Sequence, residues 1–383
     1  LLLNSIGIFE ILHKYSIGGA TNTTFTNMTI ALCGFYAKYN FGDDLMAHHL
    51  SRVLSVDDTH TVRIFSDKSL DNVENGMASN GHLDCDVIVI GGGGIVNNDF
   101  WAFKNDGLIK LKNAQKPIAF VNVNITSEIL KDSQLIEDLK SLKAKWWVRN
   151  RQSVDILTEI GITASLVPDI SFRPGVVTPY NKMAGKKQLS VFLNSYVFND
   201  LLHNDNVNQF VQALHNCRII AQFCDWMATF GWNITFFSAH TAKYVDDRIP
   251  SAFVFGTMQN KDAAKWVAEP LAWDDLIREI AHSDLVLSMR FHSTTTALAA
   301  GVPCVDITHH AKNKSLLDEI GALCISAEYS SLTHEALVKA AQCAENPTSH
   351  DNRVKAYRSE AATRWELFDR EWSTYLNNLE GLQ

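Results

Sequence analysis

Asp284-Leu-Val-Leu-Ser-Met289, Arg290-Phe-His292 and Ser293-Thr-Thr-Thr-Ala-Leu-Ala-Ala-Gly301 follow one another without a gap, and a proline stands two residues further on. The first six residues are an apolar run of strand length. The last nine form a helix that Gly301 stops, and a new strand is expected after Pro303. Strand, turn and helix in that order make up the repeating unit of a parallel α/β sheet, where ligands gather beside the carboxyl ends of the strands. A helix that starts there offers unpaired N–H groups and positive potential to an anion, and Arg290 adds a fork-shaped cation suited to phosphate or carboxylate. Taken alone, an Arg-x-His tripeptide more often holds an arginine paired with an acid, a satisfied turn histidine and a serine N-cap at Ser293. Its place between a strand and a helix favours the functional reading.

Working outward, short apolar runs alternate with amphipathic stretches. The first series is Thr29 to Cys33, Val62 to Phe65, Asp86 to Ile90, Ile118 to Val123, Trp146 to Arg149 and Ala164 to Val167. After a Pro/Gly-containing stretch, Arg173 to Gly185, the second series is Leu189 to Asn194, Ile234 to Ser238, Phe253 to Gly256, Leu285 to Ser288, Cys304 to Ile307 and Cys324 to Ser326. Helices are expected over Asp43 to Leu54, Val207 to Phe230, Trp273 to His282 and Thr294 to Ala300, where apolar residues recur at three and four residue spacing. The fold class is therefore α/β, with two doubly wound Rossmann-like lobes facing a cleft. The chain divides into an extension over 1–27, a first lobe over 28–180, a second lobe over 181–345 and a C-terminal helix over 346–383. In that helix Val354, Tyr357, Trp365, Phe368, Trp372, Tyr375 and Leu376 form a stripe to pack on the body.

With 383 residues, 46% of them hydrophobic, the chain can bury the cores of two lobes. A formal charge of -8 and no local cluster of Lys and Arg remove the footprint of a nucleic-acid-binding protein. An anionic ligand must therefore find a local cationic site. The seven cysteines are odd in number, scattered and flanked by apolar residues, which suits buried free thiols in a reducing compartment. Leu1 to Leu12 is apolar but short and has no basic leader, so a cytoplasmic location is expected.

Other polar positions fall at strand ends. Gly91 to Gly94 ends a strand, with Asn97, Asn98 and Asp99 beyond it and Trp101 as a possible sugar platform; it lacks the third glycine of a dinucleotide fingerprint and any P-loop ending. Asn40 to Asp44 suits the capped start of a helix, with Asp43 and Asp44 in the first turn. Arg149 ends a strand and Arg151 reads as a helix-start or surface charge. Lys312 and Lys314 follow another strand end. Asp246-Asp247 supplies no metal-ligand set and reads as a solvated loop.

These motifs together resemble the polysaccharide pyruvyl transferase family. The resemblance runs from Met28 to about Ala327 and rests on Ser288-Met-Arg-Phe-His-Ser293, Ala299-Ala-Gly-Val-Pro303, Lys312 and Asp318-Glu-Ile-Gly321. Further support comes from Asn40-Phe-Gly-Asp-Asp44, Gly91 to Gly94, Trp147-Val-Arg-Asn-Arg151 and Val167-Pro-Asp169. The sequence departs from the family pattern at Asn150, where Asp is common, at Phe291, where Leu is common, and at His309-His310. The resemblance implies a glycosyltransferase-B type fold. It also implies transfer of a pyruvyl group from phosphoenolpyruvate to a sugar of a surface polysaccharide or its lipid-linked precursor, giving a ketal. No metal or other cofactor is expected, and a lipid-linked acceptor would bring the protein to the inner face of the membrane.

By the same resemblance, Arg290, Arg149, Lys312 and Ser293 bind the donor. Asn40, Asp43, Gly92, Gly93, Gly94 and Asn97 face the acceptor. His292 is the acid catalyst, since its imidazole titrates nearest neutrality. Two rivals use the same architecture: a nucleotide-sugar glycosyltransferase and a catalytically silent saccharide-binding protein.

Overall fold

Near-continuous Val, Ile and Leu runs build two parallel sheets of six strands each. In the computed structural model, which describes residues 27–36, 39–66, 84–96, 111–177, 179, 185–195, 207–242, 245–346 and 351–381, the first sheet holds β1 (Thr29–Gly34), β2 (Thr61–Ser66), β3 (Val87–Val96), β4 (Ile118–Ile125), β5 (Lys145–Val148) and β6 (Ser165–Leu166). Its order is β2-β1-β3-β4-β5-β6, with every neighbouring pair parallel. All of β4 is buried, as expected of a central strand covered on both faces. The second lobe contributes β7 (Gln188–Phe192), β8 (Asn233–Phe237), the small antiparallel pair β9 (Thr241–Ala242) and β10 (Val245–Asp246), then β11 (Ala264–Trp266), β12 (Leu285–Ser288), β13 (Cys304–Thr308) and β14 (Ser326–Glu328). Its sheet runs β11-β8-β7-β12-β13-β14, again all parallel.

In each sheet the strand order reverses once, between β1 and β3 in the first and between β7 and β12 in the second. Crevices at such reversals are where doubly wound sheets bind ligands. Here the two reversals meet. The chain leaving β1 pairs with the chain leaving β8: Phe41 N–H donates to Ala239 O at 2.7 Å, Thr241 N–H donates to Tyr39 O at 3.0 Å, and Asn40 bridges His240.

The helix Phe41–Leu54 follows at once, capped by Asn40, whose side chain accepts from Gly42 N–H, with Asp43 and Asp44 in its first turn. The helix Asp351–Glu380 buries Val354, Tyr357, Ala361, Trp365, Phe368, Trp372 and Leu376, while Tyr375 is half-buried. It begins on the second lobe, where Arg353 donates to Gly321 O at 2.7 Å. It ends on the first, where Trp372 Nε1 donates to Leu54 O at 3.1 Å and Glu371 accepts from Trp147 Nε1 at 2.7 Å. Its aromatic stripe thus ties the lobes together.

Three expectations need correction. Phe253 to Gly256 lies inside the helix Arg248–Thr257, and the edge strand of that region is β11. A four-residue apolar run carries no period that separates strand from helix. Cys324 to Ser326 is mostly a 3-10 turn, Leu323–Ile325, leading into β14. Cys324 is exposed and Cys343 half-buried, whereas the other five cysteines are buried. The extension over 1–27, except its last residue, and the expected lobe boundary near 180 lie outside the described residues. No described helix is long and apolar enough to cross a membrane.

Candidate active site

Where the lobes meet, four elements bring Arg149, Asp169, His292 and Lys312 together. Arg149 follows β5 and is buried, its Nη1 3.5 Å from Asp169 Oδ2. His292 Nε2 lies 3.5 Å from the same oxygen. The other oxygen, Oδ1, accepts from Ser171 N–H at 3.1 Å and Ser171 Oγ at 2.8 Å, and Ser171 Oγ in turn lies 3.0 Å from Thr295 Oγ1 on the helix that carries His292. The turn bearing Asp169 is held by Asn122, whose amide donates to Val167 O and Pro168 O while its carbonyl accepts from Ile170 N–H. The sequence matched Val167-Pro-Asp169 to the family without giving Asp169 a role; its partner lies 123 residues away in the chain and is visible only in three dimensions.

Phe291 explains its own departure from the family pattern. The Arg149 guanidinium stands 4.5 Å and the Lys312 ammonium 5.4 Å from the centre of its ring. A ring face attracts both cations and so offsets part of their mutual repulsion, which a leucine could not do. Asn150 is likewise accounted for: it caps the helix Arg151–Glu159 by accepting from Ser153 N–H at 2.8 Å, as Asp would, but its amide also donates to Asn124 Oδ1, which a carboxylate could not do. Arg151 pairs with Glu360 of the C-terminal helix and is a structural surface charge.

The cluster's electrostatics are uneven. Burial by itself would raise the Asp169 carboxyl, but His292, then Arg149 and Ser171, outweigh it and hold the group well below the usual carboxylate range. Burial lowers His292 despite Asp169, and Arg149 and Lys312 push the same way. The geometry supports an ionised Asp169, held by Arg149 and two Ser171 donors whatever the imidazole does, beside a neutral His292 flanked by two cations. The His292 side chain keeps 12% of its exposure and is reachable from the cleft. Desolvation by the cleft walls, then Arg149, lowers the Lys312 ammonium to about 8, although the residue as a whole is exposed.

Arg290 is placed differently from the expectation. Its Nε donates to Asp247 Oδ2 at 2.8 Å and its Nη2 to Asp247 Oδ1, a bidentate clasp on a fully buried carboxylate. Asp247 also accepts from Ser195 N–H at 3.0 Å and His240 N–H at 2.9 Å, so it is a buried anchor rather than part of a solvated loop. Ser293 is not the N-cap. The helix runs Phe291–Ala300 with Arg290 as its cap residue, and Ser293 Oγ is buried with no hydrogen-bond partner among the described residues. Asp306, which the sequence did not single out, accepts from Thr294, Thr308 and Asn313 at 2.7 Å each and so fixes the helix of His292 to the start of the helix that carries Lys312. His309 Nε2 contacts Asn194 at 3.0 Å, and burial together with His310, Arg290 and Lys312 lowers the His309 pKa to about 3.

On the first-lobe wall, Gly42 lies directly against His292: a Cβ at this position would stand 1.8 Å from the imidazole Nδ1. Asp43 follows it, with Oδ2 accepting from Asn40 Nδ2 at 2.6 Å. Gly91 to Gly94 does not end its strand, since β3 runs on to Val96; Gly92 and Gly93 have φ of 70° and 85°, an irregularity within the strand that glycine adopts without strain and that packs on Met46. Gly94 is exposed at its edge, and Asn97 and Trp101 lie outside the described residues. Asn40, Asp43 and Gly93 are thus brought to one wall, opposite His292.

Two doubly wound lobes, with a cation cluster and a histidine where their switch points meet, define a two-lobed α/β protein of the glycosyltransferase-B fold. Solved structures share that architecture. A putative UDP-N-acetylglucosamine 2-epimerase from Listeria monocytogenes is 11% identical with a TM-score of 0.58, over 89% of this chain and 94% of its own. The S. aureus MnaA–UDP complex is 12% identical with a TM-score of 0.58, over 91% and 97%. The Neisseria meningitidis UDP-GlcNAc 2-epimerase bound to UDP-GlcNAc is 8% identical with a TM-score of 0.55, over 91% and 99%. Likeness at such identities shows the fold. No curated protein matches the sequence. The family model for polysaccharide pyruvyl transferases matches residues 40–310, more than half of the chain, and the chain belongs to that family. Lys312 lies two residues beyond the matched range.

Proposed function

We propose that the protein transfers the pyruvyl group of phosphoenolpyruvate to a saccharide, free or lipid-linked, and closes it as a ketal. The observation that carries the reading is the convergence of Arg149 and Lys312 on the ring of Phe291, next to His292 and Asp169. The donor bears a phosphate and a carboxylate on a small carbon frame. Two cations held close together, with the first-turn N–H groups of the helix Phe291–Ala300 beside them, suit such a ligand in an otherwise acidic protein. Phosphate loss then needs stabilisation of developing negative charge and a positioned proton donor, for which preorganised cations and an imidazole are fitted. No step of this chemistry requires a metal or a redox cofactor. A lipid-linked acceptor would bring the protein to the membrane's inner face.

Calorimetry with phosphoenolpyruvate against UDP-N-acetylglucosamine and other nucleotide sugars tests the donor. Binding of phosphoenolpyruvate, followed by phosphate release with one of a panel of p-nitrophenyl hexosides, is the expected result. Binding of nucleotide sugars alone would overturn the reading in favour of a glycosyltransferase.

A further inference from the structure

Ketal formation from phosphoenolpyruvate moves two protons: one of the acceptor's hydroxyl protons ends on C3 of the donor and the other on the departing phosphate. One imidazole holds only one of them at a time. The wall opposite His292 carries a second exchangeable group, Asp43. Its Oδ2 is held by Asn40 Nδ2, and its Oδ1 lies 3.8 Å from where a Cβ of residue 93 would stand, beside the glycine run of β3. It is adjacent in sequence to Gly42, against which the His292 ring packs. His292 turns Nε2 toward Asp169, while Nδ1 lies against Gly42, where any side chain would collide with the ring. Only glycine fits there, one residue before Asp43 in the chain.

We infer that Asp43 and His292 form a proton-exchanging pair: Asp43 protonates C3 of the donor while His292 Nδ1 takes the proton of the first acceptor hydroxyl, and the two reverse roles in the second half. The inference rests on the pyruvyl-transfer reading. In the first half the C2–C3 π pair takes the Asp43 proton and becomes a methyl group, and the hydroxyl oxygen bonds to C2. The imidazolium formed is stabilised by Asp169. In the second half the C2–O bond to phosphate breaks with its electron pair on the phosphate, which takes the proton from His292. The second hydroxyl then bonds to C2 and yields its proton to Asp43. Both groups return to their starting states, and no further reactant is needed.

The surroundings agree with that starting state. Asp43 faces Asp44 on its own helix, Tyr36 beyond β1, Arg149 beyond β5 and Lys312 from the second lobe, with His292 against the neighbouring Gly42. Burial outweighs the two cations and raises Asp43 to about 7, whereas His292 is lowered. Below neutrality the prevailing state is therefore a protonated carboxyl opposite a neutral imidazole, an acid and a base set apart by their environments.

The test compares wild type and Asp43→Asn with phosphoenolpyruvate and the p-nitrophenyl hexoside that supports turnover. Asparagine still accepts from Asn40 Nδ2, so a purely structural Asp43 would leave the rate nearly unchanged. The expected result is a kcat loss of about 10²- to 10⁴-fold with phosphoenolpyruvate affinity within a few-fold of wild type. The wild-type fall in rate above pH 7, as Asp43 ionises, should vanish in the variant, and formate should partly restore Asp43→Ala. Turnover by Asp43→Asn within tenfold of wild type, with the alkaline limb in place, would overturn the pair and leave pyruvyl transfer standing. A wild-type protein that ignores phosphoenolpyruvate would overturn both.

Discussion

Two arginines, Arg149 and Arg290, are each buried against an aspartate at the carboxyl end of a parallel sheet, yet they are built for different ends. Arg290 clasps Asp247 through two nitrogens, and Asp247 accepts two backbone N–H groups besides, so charge and lone pairs are satisfied inside the second lobe. Arg149 meets Asp169 through one nitrogen at 3.5 Å, its Nε finds no hydrogen-bond partner among the described residues, and its guanidinium shares a ring face with Lys312. A closed pair fixes the loops that carry β9 and β10 to the turn after β12. A loosely satisfied arginine among other cations is what an anion can recruit. Buried charge by itself does not distinguish structure from function; the number of unspent donors does.

The comparison predicts that the open cluster loses chemistry when cut and the closed pair loses stability. The largest effect is expected for His292→Ala, with kcat down by about 10²- to 10⁴-fold and phosphoenolpyruvate still bound by calorimetry. Near wild-type turnover would remove His292 from the reaction. Arg290→Ala leaves Asp247 charged and unpaired in the core, a loss of about 3–5 kcal/mol in denaturant unfolding. Arg149→Ala should unfold later than Arg290→Ala, because it breaks one contact at 3.5 Å where Arg290→Ala breaks a bidentate clasp, but bind phosphoenolpyruvate about 10- to 100-fold more weakly. The reverse pattern, with Arg290→Ala stable and donor-blind, would break the contrast and return Arg290 to the donor site that its sequence motif suggested.

That motif also shows what a sequence can disclose. The strands from β1 to β8 and the strand-to-helix unit after β12 were legible because buried parallel strands are continuous apolar runs and helix faces recur at fixed spacing. The aromatic stripe of the C-terminal helix was legible for the same reason. The three-residue edge strand β11 was not, since its Ala264-Lys-Trp266 is only half-buried and carries no pattern. At the site, Arg149, His292 and Lys312 were found through their motifs, and the structure brings them together. The roles of Asp247 and Asp169 are not legible, because what makes each important is a partner 43 and 123 residues away, respectively, and local sequence cannot show that a carboxylate is buried. The same holds for Asp306, which looks like any polar residue within a strand until its three donors are in place.

A smaller effect tests how the cations of the open cluster are held. Phe291→Leu restores the residue common in the family and removes the ring face from Arg149 and Lys312, a change of about 0.5–2 kcal/mol. Phosphoenolpyruvate should bind a few-fold more weakly at neutral pH, with kcat changed less than KM. Unchanged affinity would mean that the two cations are positioned by their own backbones and that Phe291 only fills space.

The last effect concerns stability, and its sign follows from Asp43. The folded carboxyl titrates at about 7, above the value of about 3.9 for an unperturbed aspartate. The folded protein therefore binds a proton that the unfolded chain releases. This contribution is fully present below about pH 3.9 and is lost as pH rises through about 7. Asp43→Asn lacks that titration, so its Tm should exceed wild type by more at pH 8 than at pH 5. Stability would be gained where proton transfer is lost, as expected when a site holds a group in a strained protonation state for function. A Tm difference that is flat between the two pH values would place Asp43 at an ordinary carboxylate pKa. It would then be an N-terminal helix charge like Asp44, and the contrast between open and closed sites would narrow to the arginines.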